Sequence, residues 1–162
     1  MVDKRKYIRI IFILFLVISI DQVTKIIAYN HLFIENKIVH VNAILSLRPV
    51  WNNGISFGML QDFGNYGRFT FSIIAIIISC WLIWSSMKIN KISALSYLLI
   101  AGGALGNVLD RVFHGKVIDF IDFHYHNWHW PAFNFADSFI FIGVALFFYS
   151  EFILFKEKNN DY

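Results

Sequence analysis

The residues best suited to chemistry in this chain are carboxylates set in or beside apolar sequence. Asp119 stands in V-I-D-F-I-D-F at 117–123, and Asp137 in F-N-F-A-D-S at 133–138, at the head of a long apolar run. An ionised acid in such a place is costly unless it is paired, solvated or put to chemical use. Two carboxylates brought close can share one proton, because both cannot ionise cheaply. The ionised partner can then take a proton from water as it attacks a carbonyl. The protonated partner polarises the carbonyl oxygen and later protonates the leaving amine. Other chemistries have less support. No Ser–His pair lies in a nucleophile motif, and the sole cysteine, Cys80, is inside an apolar run where it reads as a small core or lipid-facing side chain. His124, His126 and His129 match no zinc spacing, and with Trp128 and Trp130 they read as an interfacial aromatic loop, so neither metal nor cofactor is expected.

Those acids must be positioned by elements that composition already narrows. The 162 residues are 57% hydrophobic and 15% charged, against roughly 25% charged in an average soluble domain. The net charge of +3 comes without a basic stripe, which argues against nucleic acid. Apolar runs predict transmembrane helices at about 7–28, 69–87, 92–110 and 133–155 within a single integral-membrane domain, 1–162. The first run follows Lys4, Arg5 and Lys6 as a signal peptide would, but it has no small-residue cleavage site and continues through Asp21 to Ala28. The class is therefore a membrane all-α protein with a small extracytoplasmic β element. Between the first two helices, about 30–68, V-x-V and L-x-L alternation at 38–51 predicts short strands, with Gly54, Gly58, Gly64 and Gly67 marking turns.

Eight cations border the helix ends on one side: Lys4, Arg5, Lys6, Arg9, Lys88, Lys91, Lys156 and Lys158. That places both termini in the cytoplasm. Asp21, Thr24 and Lys25 then share a face near the outer end of the first helix, as do Asn107, Asp110 and Arg111 on the third. Asn134 and Asp137 share a face at the start of the fourth, and Asp119 lies in the connection on the same side. Asp21–Lys25 and Asp110–Arg111 could be structural ion pairs, and Asp137 could simply complement a helix dipole. Convergence of acids, amides and cations from separate segments nevertheless favours a site at the outer interface. Composition alone does not separate Asp119 from Asp122 or Asp110. It also leaves two noncatalytic classes open: a small ion- or proton-coupled transporter subunit, and a membrane assembly factor.

Five blocks in order, D-Q-V-T-K at 21–25, N-N-G-I-S-F at 52–57, G-N-V-L-D-R at 106–111, V-I-D-F at 117–120 and F-N-F-A-D-S at 133–138, resemble the bacterial lipoprotein signal peptidases (signal peptidase II). The resemblance implies an aspartic endopeptidase of the bacterial inner membrane, its active site toward the extracytoplasmic face. Such an enzyme removes signal peptides from diacylglyceryl-modified prolipoproteins, cutting before the lipidated cysteine. It implies that Asp119 and Asp137 are catalytic, with Asn52, Gly54, Asn107, Arg111 and Asn134 lining the pocket or contacting substrate, Asp110 pairing within the same shell, and Asp21 and Lys25 in support. Ser56 stands where the family usually has Ala. The expected partners are lipid-modified preproteins and membrane lipids, with the enzyme a monomer. The substrate's apolar segment is expected to pack against the Gly102–Gly106 face or the outer surfaces of other helices.

Overall fold

The computed structural model describes residues 4–54 and 64–160. Its helices are α1 (Lys4–Ala28), extended by a wider π-type turn at Tyr29–Phe33, then α2 (Gly64–Ser86), α3 (Lys91–Phe113) and α4 (Phe135–Asn160). Each contains a stretch long and apolar enough to cross a membrane. With a small antiparallel sheet beside them, they make a membrane protein. Large side chains stand exposed along α1, α2 and α4, Phe15 at 69% and Phe141 at 76% among them. In water such faces would be a liability, and in hydrocarbon they cost nothing. Cys80 is exposed on α2, so it faces lipid rather than core. The central element is α3, which packs against α1, α2 and α4 and is the most buried of the spans.

Several boundaries differ from expectation, α1 starting at Lys4 and α3 running on to Phe113 among them. Gly64 and Gly67 do not mark turns but lie in the first turns of α2, because propagating a helix from the apolar run behind them outweighs a glycine penalty of about 1 kcal/mol each. The fourth helix starts at Phe135, not 133, because Phe133 exchanges backbone hydrogen bonds with Ile121 and is held in strand pairing. It also runs past Phe155, so Lys156 and Lys158 are part of α4 rather than following it. Gly58 lies outside the described residues.

The strands are β1 (Val39–Asn42), β2 (Leu45–Asn52), β3 (Val117–Tyr125) and β4 (Trp128–His129), antiparallel in the order β1-β2-β3-β4. The stretch expected to be a plain connection carrying Asp119 is therefore the longest strand. Its first four residues, Val117 to Phe120, are all buried. A strand covered on both faces shows no polar–apolar alternation, and that is why the periodicity does not announce it. Along β3, Asp119 and Asp122 point to opposite faces. A bulge lies in β2 between Leu47 and Val50, where Pro49 has no N–H to give the ladder.

The small-residue stripe of α3 is filled from within. A Cβ at Gly102 would meet Val17, one at Gly103 the Ala136 carbonyl oxygen, and one at Gly106 would lie 2.5 Å from Asp21 Oδ2. The Gly102–Gly106 face is therefore closed by α1 and α4 and is not open to a substrate helix. Gly103→Ala should destabilise the protein by about 1–3 kcal/mol by pushing the first turn of α4 outward. Thermal unfolding in detergent measures this, and an unchanged midpoint would contradict the close approach.

Candidate active site

Asp119 projects from β3 toward the helices, and Asp137 from the first turn of α4. Each carboxylate oxygen of both residues accepts a hydrogen bond from an N–H donor. Asn52 Nδ2 reaches Asp119 Oδ2 at 2.9 Å and Asn134 Nδ2 reaches Oδ1 at 2.7 Å. Asn107 Nδ2 reaches Asp137 Oδ1 at 2.9 Å, and the Asn134 backbone N–H reaches Oδ2 at 3.2 Å. The Asn134 side chain in turn accepts from the Asp137 backbone N–H at 3.0 Å. Asn134 and Asp137 thus form a reciprocal capping box, which satisfies orphan donors at the helix start and fixes Asp137 there.

The amide orientations are determined by their partners. Asn107 Oδ1 accepts from Lys25 Nζ at 2.9 Å and from Asn134 Nδ2 at 3.0 Å, which leaves Asn107 Nδ2 facing Asp137. Asn52 Oδ1 accepts from the Gly54 N–H at 3.0 Å, which turns its Nδ2 toward Asp119. Arg111 donates to the carbonyl oxygens of Gly54, 3.0 Å away, and Asn107, 3.3 Å away. A cleft of about 290 Å³ opens here between α2, α3 and α4, with Asn52, Asn107, Arg111 and Asp137 supplying its polar lining.

Below these residues lies a buried charge cluster. Lys25 Nζ is 2.8 Å from Asp21 Oδ2 and 2.9 Å from Asp110 Oδ2, all three side chains at most 2% exposed. Two backbone donors complete the carboxylates: the Ala136 N–H to Asp21 Oδ1 at 2.9 Å and the Ile118 N–H to Asp110 Oδ2 at 3.1 Å. The Asp21–Lys25 pair matches its structural reading. Asp110 does not pair with Arg111, its chain neighbour, but with Lys25. Consecutive helical side chains diverge by about 100°, so only one of the two can point at α1. Thr24 is also outside the cluster, its hydroxyl donating to the Ile20 and Asp21 carbonyl oxygens of its own helix.

All ten residues singled out from the sequence therefore join one network: Asp21, Lys25, Asn52, Gly54, Asn107, Asp110, Arg111, Asp119, Asn134 and Asp137. Sequence reasoning missed Gln22, whose Nε2 donates to Asp21, Asp110 and the Gly106 carbonyl oxygen. Its place inside D-Q-V-T-K was the available signal. Ser56 lies outside the described residues.

Asp122, on the opposite face of β3, belongs to a separate group, with Arg48 Nε at 3.1 Å and His129 Nδ1 at 2.9 Å. His124 and His40 both contact the Ser46 hydroxyl, at 2.8 and 2.9 Å. This brings a serine to a histidine, but Ser46 is only 2% exposed and no substrate carbonyl can reach it. Among the described residues no three His, Cys, Asp or Glu side chains are arranged to hold a metal ion.

Burial, and then the negative charge of Asp137, push the Asp119 carboxyl from 3.8 up to about 7. It therefore retains its proton far above the range of an exposed aspartate. With the Asp137 carboxylate near enough to act on it, the arrangement can hold one proton in neutral solution, as water activation at a carbonyl requires.

The family model for signal peptidase (SPase) II matches residues 13–153. A lipoprotein signal peptidase of Polynucleobacter necessarius is 40% identical over 149 residues, covering 89% of each chain. One from Chromobacterium violaceum is 43% identical over 135 residues, covering 81% of this chain and 83% of the relative. A solved bacterial membrane enzyme, determined by the in meso method at 2.3 Å, superposes with a TM-score of 0.78 at 33% identity, over 95% of this chain and 92% of its own. The match takes in every residue of the network just described, and the chain belongs to the signal peptidase II family of aspartic proteases.

Proposed function

We propose that Asp119 and Asp137 are the catalytic dyad with which this signal peptidase II cuts lipid-modified preproteins before the diacylglyceryl cysteine. The observation that carries the reading is the buried Asp119 carboxyl, which keeps its proton to about pH 7 through burial and through the neighbouring negative charge of Asp137, itself on the wall of the cleft. Asp137 acts as the base, since the α4 N-terminus and its capping N–H favour the anion. It takes a proton from water as the oxygen attacks the scissile carbonyl carbon. Protonated Asp119 polarises the carbonyl oxygen and then gives its proton to the departing nitrogen as the C–N bond breaks. The proton now on Asp137 returns to Asp119 before the next turnover. Arg111, fixed by two carbonyl oxygens, lines the cleft as a donor for substrate carbonyls.

The cation distribution supports cytoplasmic termini and a site at the extracytoplasmic end, where a lipidated cysteine holds the scissile bond near headgroup depth. The mutual packing of α1, α3 and α4 around the cluster supports a single domain, which we take to act as a monomer. Purified protein in detergent should cleave a diacylglyceryl-modified preprotein and leave the unmodified precursor intact. Equal cleavage of both, or of neither, refutes the reading.

The pH dependence follows from Asp119. Activity should fall as pH rises through about 7 and the dyad loses its shared proton, with an acid limb where both carboxyls are protonated. A rate profile flat from pH 5 to 9, on the order of one turnover rate throughout, would exclude a shared proton. Stability moves in the same sense. Between 3.8 and about 7 the unfolded chain releases a proton that the folded chain keeps. The contribution of this group is therefore fully present below 3.8 and is lost as pH rises through about 7.

A further inference from the structure

Asp137 also lines a second and larger groove, of about 680 Å³, between α4 and the aromatic segment that follows β3. The segment contributes Trp128, Trp130 and Phe133, and α4 contributes Phe141 and Ile142. Phe141 is 76% and Ile142 46% exposed within the apolar span of α4, so the groove opens sideways into hydrocarbon. We infer that this groove seats an acyl chain of the lipid-modified substrate while the scissile bond lies at the dyad. The inference rests on the peptidase reading above and assigns a chemical class to each of two depressions that meet at one catalytic carboxylate.

The lining decides which appendage goes where. A peptide needs partners for its N–H and C=O groups once it leaves water. The cleft between α2, α3 and α4 offers Asn52, Asn107 and Arg111 for that purpose. Among the described residues the larger groove offers Asp137, Ser138 and the indole N–H groups of Trp128 and Trp130, and most of its lining is apolar and aromatic. An acyl chain has no polar groups to satisfy and fits such walls. The groove is also continuous with the bilayer, where the other end of the chain must remain. Hydrocarbon is as apolar as these walls, so seating the chain gains little by transfer. What it gives is position, by fixing the cysteine on one side of the dyad.

The test uses substrates with palmitoyl and with butyryl diacylglyceryl groups, the second too short to fill the groove. Ile142→Trp and, from the facing wall, Ala132→Trp narrow the groove without touching the network. Each should lower kcat/KM for the palmitoyl substrate about tenfold and for the butyryl substrate less than about twofold. Equal losses on both substrates, or no loss on either, overturn the inference. A second measurement does not depend on these variants folding. Dibromopalmitoyl substrate bound to Asp119→Asn protein should quench tryptophan fluorescence, and Trp128→Phe with Trp130→Phe should remove that quenching. Quenching by dibrominated phospholipid that substrate does not displace would assign the groove to bulk lipid and overturn the proposal. If wild-type protein cleaves neither substrate, it is the peptidase reading that fails.

Discussion

Asp119→Asn and Asp137→Asn are each expected to lower kcat by about 10³-fold or more, in protein that remains folded. The loss follows from the proton inventory: an amide can neither take a proton from water nor give one to a leaving nitrogen. Folding survives because two opposed effects accompany the change. At position 119 an amide NH₂ would face one of two donors, Asn52 Nδ2 or Asn134 Nδ2, a conflict of about 1–3 kcal/mol. Removing a carboxylate that burial penalises works the other way. Alanine would be a poorer probe, since it orphans both donors and leaves a void. The measurement is single-turnover cleavage of a lipidated preprotein, with thermal unfolding as the control. Folded variants within tenfold of wild type would remove the dyad from the mechanism and reopen a noncatalytic role.

The second large effect is structural. Lys25→Met should cost about 3–5 kcal/mol, because it leaves Asp21 and Asp110 buried without their cation. The methionine is close to isosteric, so packing is kept and charge is what changes. Activity should fall with stability, because Lys25 Nζ also holds Asn107 Oδ1 and thereby turns Asn107 Nδ2 toward Asp137. A partial rescue by Asp110→Asn in the Lys25→Met background would show that the unpaired charge is the cause. An unfolding midpoint equal to wild type would show that water or a counterion reaches the cluster.

Much of this architecture was legible because hydrocarbon imposes simple rules. Apolar runs located the four spans, and V-x-V with L-x-L located β1 and β2. The polar residues were equally visible, since an Asp or Lys in such runs needs a reason. What periodicity could not supply was β3, buried on both faces, and with it the physical distinction between Asp119 and Asp122. Strand parity separates them: one is held by Asn52 and Asn134 and the other pairs with Arg48 and His129. Nor could spacing assign Asp110 to Lys25 rather than Arg111, because that choice depends on which helix α3 turns its face to. Gln22 is silent in the sequence for a similar reason. A lone amide shows no charge imbalance to explain until its three acceptors are in place.

The hydrogen bond from the Ala136 N–H to Asp21 joins residues 115 positions apart, and this bears on biogenesis. The chain emerges from its N-terminus, so α1 and α3 enter the bilayer before α4 exists. Until then Asp21 lacks its backbone donor, Asn107 has no Asp137 to face, and the Gly103 surface is bare. A three-helix form without α4 therefore lacks Asp137 and leaves Asp21 and Asn107 each short of a partner. Insertion of the last helix completes the charge cluster, closes the glycine surface and delivers Asp137 to Asp119 in a single event. The proposed dyad is thus incomplete until the last helix is in place.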